Sequence, residues 1–301
     1  MQNRLKTIVI GAGICGVSSA IWLQRAGHEV VLLDKGAPGM GASYGNAGLL
    51  AQWAFIPVTG PHMLRMAAKY VPNPNSPLFL QWSYLPRMLP WLRQFIGHAN
   101  DTDTRRIVES LIPLVGDAVD QHRALVKGSA AEKWIADSSY SFAYANRQAF
   151  ENDTYGWSLR REAGLVPDII EGPAVQEEEP ILGAQTQFLA VLKGHGHIVN
   201  PGGYVAHLVE IFQQAGGRFV NAEVQDFDLG SGKIRAVDTD QGRFECDYAV
   251  VAAGIWSKPL MKKLGLKVQL EAERGYHIIY KNPSQVPRNP MMIASGKFAV
   301  N

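Results

Sequence analysis

A glycine-rich turn between an apolar strand and a helix constrains the fold of this chain more than any other feature. The turn, Gly11-Ala12-Gly13-Ile14-Cys15-Gly16, follows the apolar stretch 6–10 (KTIVI). Residues 13–26 carry apolar side chains at helical spacing, and residues 29–33 (EVVLL) indicate a second buried strand ending at Asp34. Two apolar strands around one helix predict a compact βαβ unit, and therefore an α/β fold.

The spacing of the three glycines matches a dinucleotide-binding fingerprint. Gly11 would make the tight turn, Gly13 would let the backbone approach a pyrophosphate, and Gly16 would let helix and strand pack closely. The helix N-terminus offers N–H groups and the positive end of its dipole to the phosphates. Asp34 would accept hydrogen bonds from the adenosine ribose. The predicted pyrophosphate-binding residues are Gly11, Ala12, Gly13, Ile14 and Gly16.

The residues after Asp34 bear on which dinucleotide binds. A carboxylate at this position disfavours a 2′-phosphate and therefore NADP, whereas NAD and FAD both remain. The βαβ unit of an NAD-binding domain usually continues into another helix and strand, but here the loop GAPGMGASYGNAGLL follows. Its glycine, serine and asparagine residues provide backbone donors and short polar side chains, which favours FAD over an ordinary surface loop.

Composition excludes several classes of protein. The chain has 301 residues, enough for about two domains. Its net charge is +2 and no basic stripe alternates with aromatic residues, so we expect no nucleic-acid partner. The two cysteines, Cys15 and Cys246, lie in no metal-binding spacing, which indicates a reduced, cytoplasmic protein without a metal site. Residues 7–23 resemble a signal peptide, but their ordered glycines argue against one.

The rest of the chain predicts further elements. Residues 53–98 indicate short helices at most, and 177–179 (EEE) a solvated surface run. His195 and His197 flank Gly196 in a predicted loop, where a structural role is more common than metal binding or acid–base chemistry. The predicted helices are 103–126, with a kink or break at Pro113, 155–162 and 202–215. The predicted strands are 218–224, 233–239 and 243–254, arranged like a β-meander, and 268–280 in the sheet of another domain.

Four motifs together resemble the glycine oxidase/D-amino-acid oxidase group of FAD enzymes. They are the GAGICG turn, Asp34, Ser43-x-x-Asn46-Ala47-Gly48 and VVAAGIWS (250–257). The stretches SYLPRMLPWLRQF (83–95), VNPGGYVAHL (199–208) and ERGYHIIY (273–280) look most like bacterial D-amino-acid dehydrogenases. This resemblance covers essentially the whole chain.

The resemblance implies a Rossmann-like FAD-binding domain of the glutathione-reductase type and a substrate domain built on a large mixed sheet. The FAD-binding domain would comprise 1–60 and 200–266, and the substrate domain 61–199 and 267–301. Val224 would bring its backbone to the adenine, and Ala253 and Gly254 would close against the pyrophosphate. The FAD-binding residues that the resemblance adds are Lys35, Ser43, Asn46, Ala47, Gly48, Leu49, Val224, Ala253, Gly254 and Trp256.

The resemblance also implies an activity, the oxidative deamination of an amino acid to a 2-oxo acid and ammonia by hydride transfer to flavin N5. A D-amino acid is the leading candidate substrate, with glycine, sarcosine, proline or an opine as alternatives, and oxygen or a quinone would accept the electrons. An NAD-dependent dehydrogenase and a non-catalytic flavin-binding subunit stay open. Family members continue into a last flavin-domain segment that carries a carboxylate-binding arginine, so we expect this chain to be truncated after Asn301.

Two groups of residues are candidates for other contacts. Alternation along 268–280 places Arg274 and Tyr276 on one face of the predicted strand and His277 on the other, and we expect Arg274 and Tyr276 on the substrate side. An aromatic group with interspersed arginines indicates either a peripheral membrane contact at the inner face of the plasma membrane or core packing in the substrate domain. That group is Trp82, Tyr84, Trp91 and Phe95 with Arg87 and Arg93.

Overall fold

A computed structural model describes residues 4–61 and 81–301. These residues form two compact units, each assembled from several stretches of the chain. The first unit contains the chain up to Gly48, His122–Ile135 and Ile198–Ile278. The second unit contains Leu49–Gln121, Ala136–His197 and Ile279–Asn301, apart from the undescribed residues 62–80.

The secondary structure follows a mixed order of helices and strands. The helices are α1 (Ile14–Arg25), α2 (Leu85–Gly97), α3 (Asp101–Val115), α4 (Ala118–Val126), α5 (Arg147–Glu151), α6 (Thr154–Glu162), α7 (Ala174–Glu178), α8 (Pro201–Gln214) and α9 (Ser257–Lys263). The strands are β1 (Lys6–Ile10), β2 (Glu29–Asp34), β3 (Leu49–Leu50), β4 (Ile135–Tyr144), β5 (Asp168–Glu171), β6 (Phe188–Ile198), β7 (Arg218–Asn221), β8 (Val224–Gly230), β9 (Lys233–Thr239), β10 (Gly242–Glu245), β11 (Tyr248–Val251), β12 (Met291–Ile293) and β13 (Phe298–Val300).

The predicted βαβ unit is confirmed. Strands β1 and β2 pair in parallel with α1 between them in sequence, and Thr7 to Ile10 are buried. A strand covered on both faces by other layers requires an apolar run rather than an alternating pattern. The KTIVI and EVVLL segments provide such runs, and Val9, Leu32 and Leu33 have no exposed surface.

The first unit is built on a four-stranded parallel sheet in the order β11-β1-β2-β7. Chain connections leave β1 on one side toward β2 and return on its other side with β11, so the sheet has its topological switch point at the carboxyl end of β1. Ligands of open α/β sheets bind at such a point. The glycine turn follows β1 directly, so the fold places it where a ligand is expected.

Two layers cover the faces of this sheet. On one side α1 is joined to α8, where Gln24 Nε2 donates to the carbonyl oxygens of Phe212 and Ala215. The other layer is a separate three-stranded antiparallel sheet in the order β10-β9-β8. Its Val237 packs in one core with Ile8 and Leu33 of the parallel sheet. Burial of these apolar side chains holds the meander against the parallel strands.

The predicted meander is therefore partly wrong. Only β8, β9 and β10 form it, whereas β7 and β11, which the sequence analysis included in it, pair with β2 and β1. The physical reason is that β7 and β11 pair with the open edges of β2 and β1, and which edges are open is decided by the assembled sheet and not by the local pattern of one strand.

The second unit contains a six-stranded mixed sheet, which confirms the predicted sheet type. Its order is β13-β12-β4-β6-β3, and β5 also pairs with β6. Strand β12 runs parallel to β4, whereas β3 and β5 run antiparallel to β6. One cluster of buried aromatic and aliphatic side chains packs on this sheet; its fully buried members include Trp157, Phe188 and Ala190.

The helical predictions need two corrections. The predicted helix 103–126 is two helices, α3 and α4; the chain passes Pro113 in helical conformation and breaks after Val115. The stretch 53–98 was expected to form short helices at most, yet α2 has 13 residues; residues 62–80 of that stretch lie outside the described part. Pro86 stands at the start of α2, where its missing N–H costs nothing, whereas Pro90 lies inside the helix and forgoes one helical hydrogen bond. The proline-rich composition therefore misled the prediction.

Three other predictions are wrong. Segment 268–280 has no regular secondary structure, since no described strand supplies the ladder hydrogen bonds that its alternating pattern requires. Glu179 is not a solvated surface residue: it is 1% exposed and accepts hydrogen bonds from the backbone N–H groups of Arg288 and Asn289. His195 and His197 lie in strand β6 rather than in a loop.

Candidate cofactor-binding site

Two of the three glycines in the turn are required by close backbone contacts. Gly11 has a φ of 109°, and a Cβ atom there would overlap the carbonyl oxygen of Ala252. A Cβ atom on Gly16 would overlap the carbonyl oxygen of Gly11. The N–H of Gly11 donates to the carbonyl oxygen of Leu33 at 2.7 Å and so fixes the turn between the ends of β1 and β2. The sequence therefore demands glycine for geometry at both positions.

The N-terminus of α1 opens from this turn without a side chain on its own N-cap residue. Gly13 is its N-cap residue, has extended backbone and makes no side-chain cap, and no acidic residue lies in the first turn. The first backbone hydrogen bond runs from Val17 N–H to the carbonyl oxygen of Gly13 at 3.0 Å. The amides before Val17 consequently lack helical partners and carry the positive end of the helix dipole, which suits a pyrophosphate.

The hydroxyl of Ser43 also joins this helix terminus. Ser43 is buried, and its Oγ accepts a hydrogen bond from the backbone N–H of Ile14 at 2.9 Å. This link across 29 residues was missed by the sequence analysis, because no local pattern signals it. It fixes the loop 41–48 against the turn that the sequence did predict.

Asp34 has a structural role in addition to the predicted ribose contact. Its Oδ2 accepts from the backbone N–H of Ala12 at 2.6 Å, and its Oδ1 accepts from the N–H of Gly36 at 2.8 Å. The carboxylate thus connects the glycine turn to the loop after β2. Each oxygen can accept more than one hydrogen bond, so the carboxylate retains capacity for ribose hydroxyls.

The loop with the Ser43-x-x-Asn46-Ala47-Gly48 motif is stabilised by its own side chains. Asn46 Nδ2 donates to the carbonyl oxygen of Ser43 at 3.0 Å, and Asn46 Oδ1 accepts from Gly48 N–H at 2.8 Å. Gly48 has a φ of 63°, and a Cβ atom on it would overlap the carbonyl oxygen of Ile198. Ala47 lies between these two residues, and Leu49 begins β3 of the second unit. The motif residues therefore define one rigid turn.

Residues more than 200 positions later in the chain complete the edge of this site. The N–H of Ala252 donates to the carbonyl oxygen of Ile10 at 2.8 Å, and Ala253 Cα lies next to Gly11. Gly254, with a φ of 55°, starts a short 3₁₀ turn at Gly254–Trp256. Val224 begins β8. The structure thus brings Ala253 to the glycine turn, and its contact with the pyrophosphate stays a prediction.

Lys35 and Trp256 meet at this edge. The ammonium nitrogen of Lys35 lies 4.9 Å from the ring centroid of Trp256 and 3.5 Å from Glu223 Oε1. Trp256 is 53% exposed, so its ring remains available to a planar ligand. A cation over an indole ring is worth about 0.5–1 kcal/mol at an exposed site, which is enough to orient the ring.

Arg274 and Tyr276 are not brought to this turn. Both are exposed, and Tyr276 is 89% exposed, on a segment without regular structure. The residue of this segment that contacts the site is His277: its imidazole packs against the Cα of Gly45, where any Cβ atom would overlap the ring. The predicted substrate role of Arg274 and Tyr276 therefore has no contact among the described residues to support it.

Comparison with known proteins decides the family. The sequence profile of the family described as "DAO: FAD dependent oxidoreductase" matches residues 6–300. The chain belongs to this family. The D-amino-acid oxidase of Bradyrhizobium diazoefficiens is 36% identical over 296 residues, which are 97% of this chain and 70% of that protein. The D-amino acid dehydrogenase of Helicobacter pylori is 25% identical over 291 residues, which are 96% and 69% of the two chains.

A solved structure shares the fold. Glycine oxidase from Geobacillus kaustophilus aligns with a TM-score of 0.59 at 19% identity, over 88% of this DAO-family chain and 60% of that protein. The chain thus spans about 60% of the length of this solved relative. The predicted family, the FAD-binding fold with its mixed sheet, and FAD as the cofactor are confirmed. The prediction of a FAD-dependent amino-acid oxidoreductase agrees with the names of the two sequence relatives.

Proposed function

We propose that the first unit binds the ADP part of FAD at the glycine turn. The observation that carries this proposal is the turn itself, where Gly11 and Gly16 exclude side chains and the N-terminus of α1 carries no acidic residue. The amides of that terminus would neutralise the pyrophosphate, and Asp34 would bind the ribose while holding the turn. The proposed FAD-binding residues are Gly11, Ala12, Gly13, Ile14, Gly16, Asp34, Lys35, Ser43, Asn46, Ala47, Gly48, Leu49, Val224, Ala253, Gly254 and Trp256.

The proposed reaction is the oxidative deamination of a D-amino acid to a 2-oxo acid and ammonia. Bound FAD would supply the chemistry by accepting the Cα hydrogen of the substrate as a hydride. The choice of a D-amino acid is supported by the names of both sequence relatives. The contribution of this chain is to hold the cofactor by its pyrophosphate and ribose, and Ser43 and Asn46 keep the adjoining loop in one conformation.

The domain division is part of the same proposal. Residues 1–60 with 200–266 would hold the cofactor, and 61–199 with 267–301 would bind the substrate, with Arg274 and Tyr276 on the substrate side. Within the first unit, the parallel sheet and its glycine turn support the cofactor role. Within the second, the six-stranded mixed sheet supports the substrate role.

We also propose a peripheral membrane contact, with a quinone or oxygen as electron acceptor. Among the described residues, no helix is both long and apolar enough to cross a membrane. Helix α2 and the turn before it expose apolar surface instead: Trp82 is 64%, Leu89 52% and Ile96 37% exposed, and α2 has no buried residue. Arg87 and Arg93 lie on the same helix, which is the composition of an interfacial helix.

The visible spectrum tests the proposed function. The protein reconstituted with FAD should be yellow and should lose its flavin absorbance under anaerobic conditions when a D-amino acid is added. The L-enantiomers at equal concentration are the matched control. A protein that retains no flavin but binds NAD would overturn the cofactor proposal. Bound flavin that no D-amino acid in a broad panel bleaches would contradict the proposed reaction and support a non-catalytic flavin-binding role.

A further inference from the structure

The second unit contains buried polar atoms without partners. Five side-chain nitrogen or oxygen atoms among the described residues are buried and make no hydrogen bond, and all five belong to this unit. They are Trp53 Nε1, Ser138 Oγ, Arg160 Nε, His195 Nδ1 and His197 Nδ1. Native proteins leave few such atoms, and each one calls for an explanation such as a bound ligand or water.

Arg160 is the charged member of this group. Its guanidinium carbon lies 4.9 Å from the ring centroid of Phe142 and 5.0 Å from that of Trp157, so it packs beside two aromatic rings that contact each other edge to face. Among the described residues it has no ion-pair partner. The nearby carboxylate of Asp153 accepts from the hydroxyl of Tyr144 at 2.8 Å instead. Burial lowers the pKa of Arg160, and the negative charge of Asp153 opposes this shift.

Other polar groups converge on the same face of β4. Tyr140 is 7% exposed, and its ring lies 5.2 Å from Phe142 and 5.9 Å from His195, measured between centroids. Ser138 precedes Tyr140 by two residues on β4 and therefore points to the same side. Tyr140 and Arg160 both pack against the ring of Phe142, which places the two groups in one neighbourhood. Burial raises the pKa of the Tyr140 hydroxyl, and the positive charge of Arg160 opposes this shift.

His195 is almost fully buried, and its protonation state affects which ligand charge this cluster can bind. It is 3% exposed, and burial lowers its pKa, so the ring is neutral near pH 7. The cluster thus combines the cation of Arg160, which the nearby carboxylate of Asp153 partly stabilises, with neutral hydrogen-bonding groups on Tyr140, Ser138 and His195. A ligand with a single negative charge fits such a cluster, whereas a phosphate dianion would leave an uncompensated buried charge.

The geometry of the hydrogen-bond donors indicates which monoanionic group would bind. A guanidinium presents parallel N–H groups that match the two oxygens of a carboxylate, and hydroxyl groups such as that of Tyr140 can donate to the same oxygens. The rings of Phe142 and Trp157 leave apolar walls beside it. We propose that Arg160 and Tyr140 form a binding site for the carboxylate group of a small organic acid in the second unit.

Such a carboxylate could come from two sources. One is the amino acid of the proposed reaction or its 2-oxo acid product, an assignment that rests on the proposed function. The other is a separate organic acid that binds to the second unit without being turned over. Both share the carboxylate, and a kinetic measurement separates them.

The binding test needs no flavin signal. Pyruvate is titrated into the full chain by isothermal titration calorimetry, with pyruvamide as the uncharged control. We expect saturable binding of pyruvate and none of pyruvamide. Arg160→Gln should weaken pyruvate binding by at least about tenfold, because a hydrogen bond to a charged group is lost. Arg161→Gln, which alters the exposed neighbouring residue on α6, should leave it within about twofold.

Two further, conservative variants distinguish the loss of a ligand contact from the loss of the fold. Tyr140→Phe removes only a hydroxyl and should weaken pyruvate binding by about three- to tenfold, while circular dichroism and thermal unfolding stay close to those of the parent. Arg160→Lys keeps the charge without the parallel N–H pair, and pyruvate binding should fall between the parent and Arg160→Gln. Pyruvate binding that is absent, or equal in the parent and in a folded Arg160→Gln variant, would overturn the proposal.

Steady-state kinetics then identify the source. If the substrate carboxylate occupies the site, Arg160→Gln should raise KM for D-alanine at least about tenfold; an unchanged KM with weakened pyruvate binding assigns the site to a separate acid. The carboxylate site and the proposed reaction can be refuted independently. If D-alanine bleaches the flavin but pyruvate binding does not depend on Arg160, only the carboxylate site is refuted. If pyruvate binds in an Arg160-dependent way but D-alanine does not bleach the flavin, the carboxylate site is supported and the proposed reaction is refuted.

Discussion

Replacing Asp34 with alanine should damage the glycine turn as well as the proposed ribose contact. The carboxylate accepts hydrogen bonds from the N–H groups of Ala12 and Gly36, at 2.6 and 2.8 Å. Alanine would leave both donors without their partner, and FAD binding would have to restore the turn conformation. The cost should therefore be divided between the stability of the apoprotein and the affinity for FAD.

The magnitude follows from these two hydrogen bonds. Each bond to a charged acceptor contributes about 1.5–3 kcal/mol, so the pair contributes about 3–6 kcal/mol. Asp34 is half-buried, so water can replace part of the loss and the lower end of that range applies. A total of about 3 kcal/mol corresponds to about a 100-fold change in an equilibrium constant. A ribose contact alone would give about 10- to 100-fold in FAD affinity and no loss of apoprotein stability.

Two measurements on the same variant test this reasoning. Urea unfolding of the apoprotein gives the change in its free energy of unfolding, and titration of apoprotein with FAD gives the change in Kd. The control is Glu223→Gln, an exposed carboxylate whose ion pair with Lys35 should contribute about 0–1 kcal/mol. If the free energy of unfolding of the Asp34→Ala apoprotein differs from that of the parent by less than about 1 kcal/mol, whatever the change in Kd, the structural role assigned to this carboxylate is refuted.

Three other outcomes are expected. Gly16→Val should abolish FAD retention in a flavin-content assay, because its Cβ would overlap a backbone carbonyl oxygen; equal flavin content in variant and parent would contradict this. Burial lowers the pKa of His122 and His195 below 6.5, so the unfolded chain binds more protons, and stability by urea titration should be full above pH 6.5 and fall as pH drops below it. A doubly substituted Trp82→Ser, Leu89→Ser protein should float less with anionic liposomes than the parent; equal flotation would remove the proposed membrane contact.

The local parts of the fold could be predicted from the sequence. In β1, α1 and β2 the apolar periodicity, the glycine spacing and the terminal Asp34 all concern neighbours within one short stretch, and each agrees with the observed element. Local propensity and burial favour the same structure there, so no long-range information was needed.

Partner choice over long distances could not be predicted. Strand β7 looks like a member of the meander, but it pairs with β2, because the open edge of the parallel sheet is a property of the assembled unit. Glu179 looks like part of a solvated acidic run, yet its carboxylate is buried and satisfied by backbone N–H groups about 110 residues later in the chain. In both cases the determining contact has no local signature in the sequence.

The order of the parallel strands explains why residues far apart in the sequence lie together at the candidate cofactor site. Strand β1 lies between β11 and β2, so the turn after Ile10 is bordered by the residues that follow each neighbour. Ala252 contacts Ile10 and Gly11 on one side, and Asp34 holds Ala12 on the other. A side chain at Gly11 would therefore disturb the residues that follow β11 as well as the proposed pyrophosphate contact. Close backbone contacts at the ends of the strands therefore require Gly11 and Gly16 even before any ligand binds.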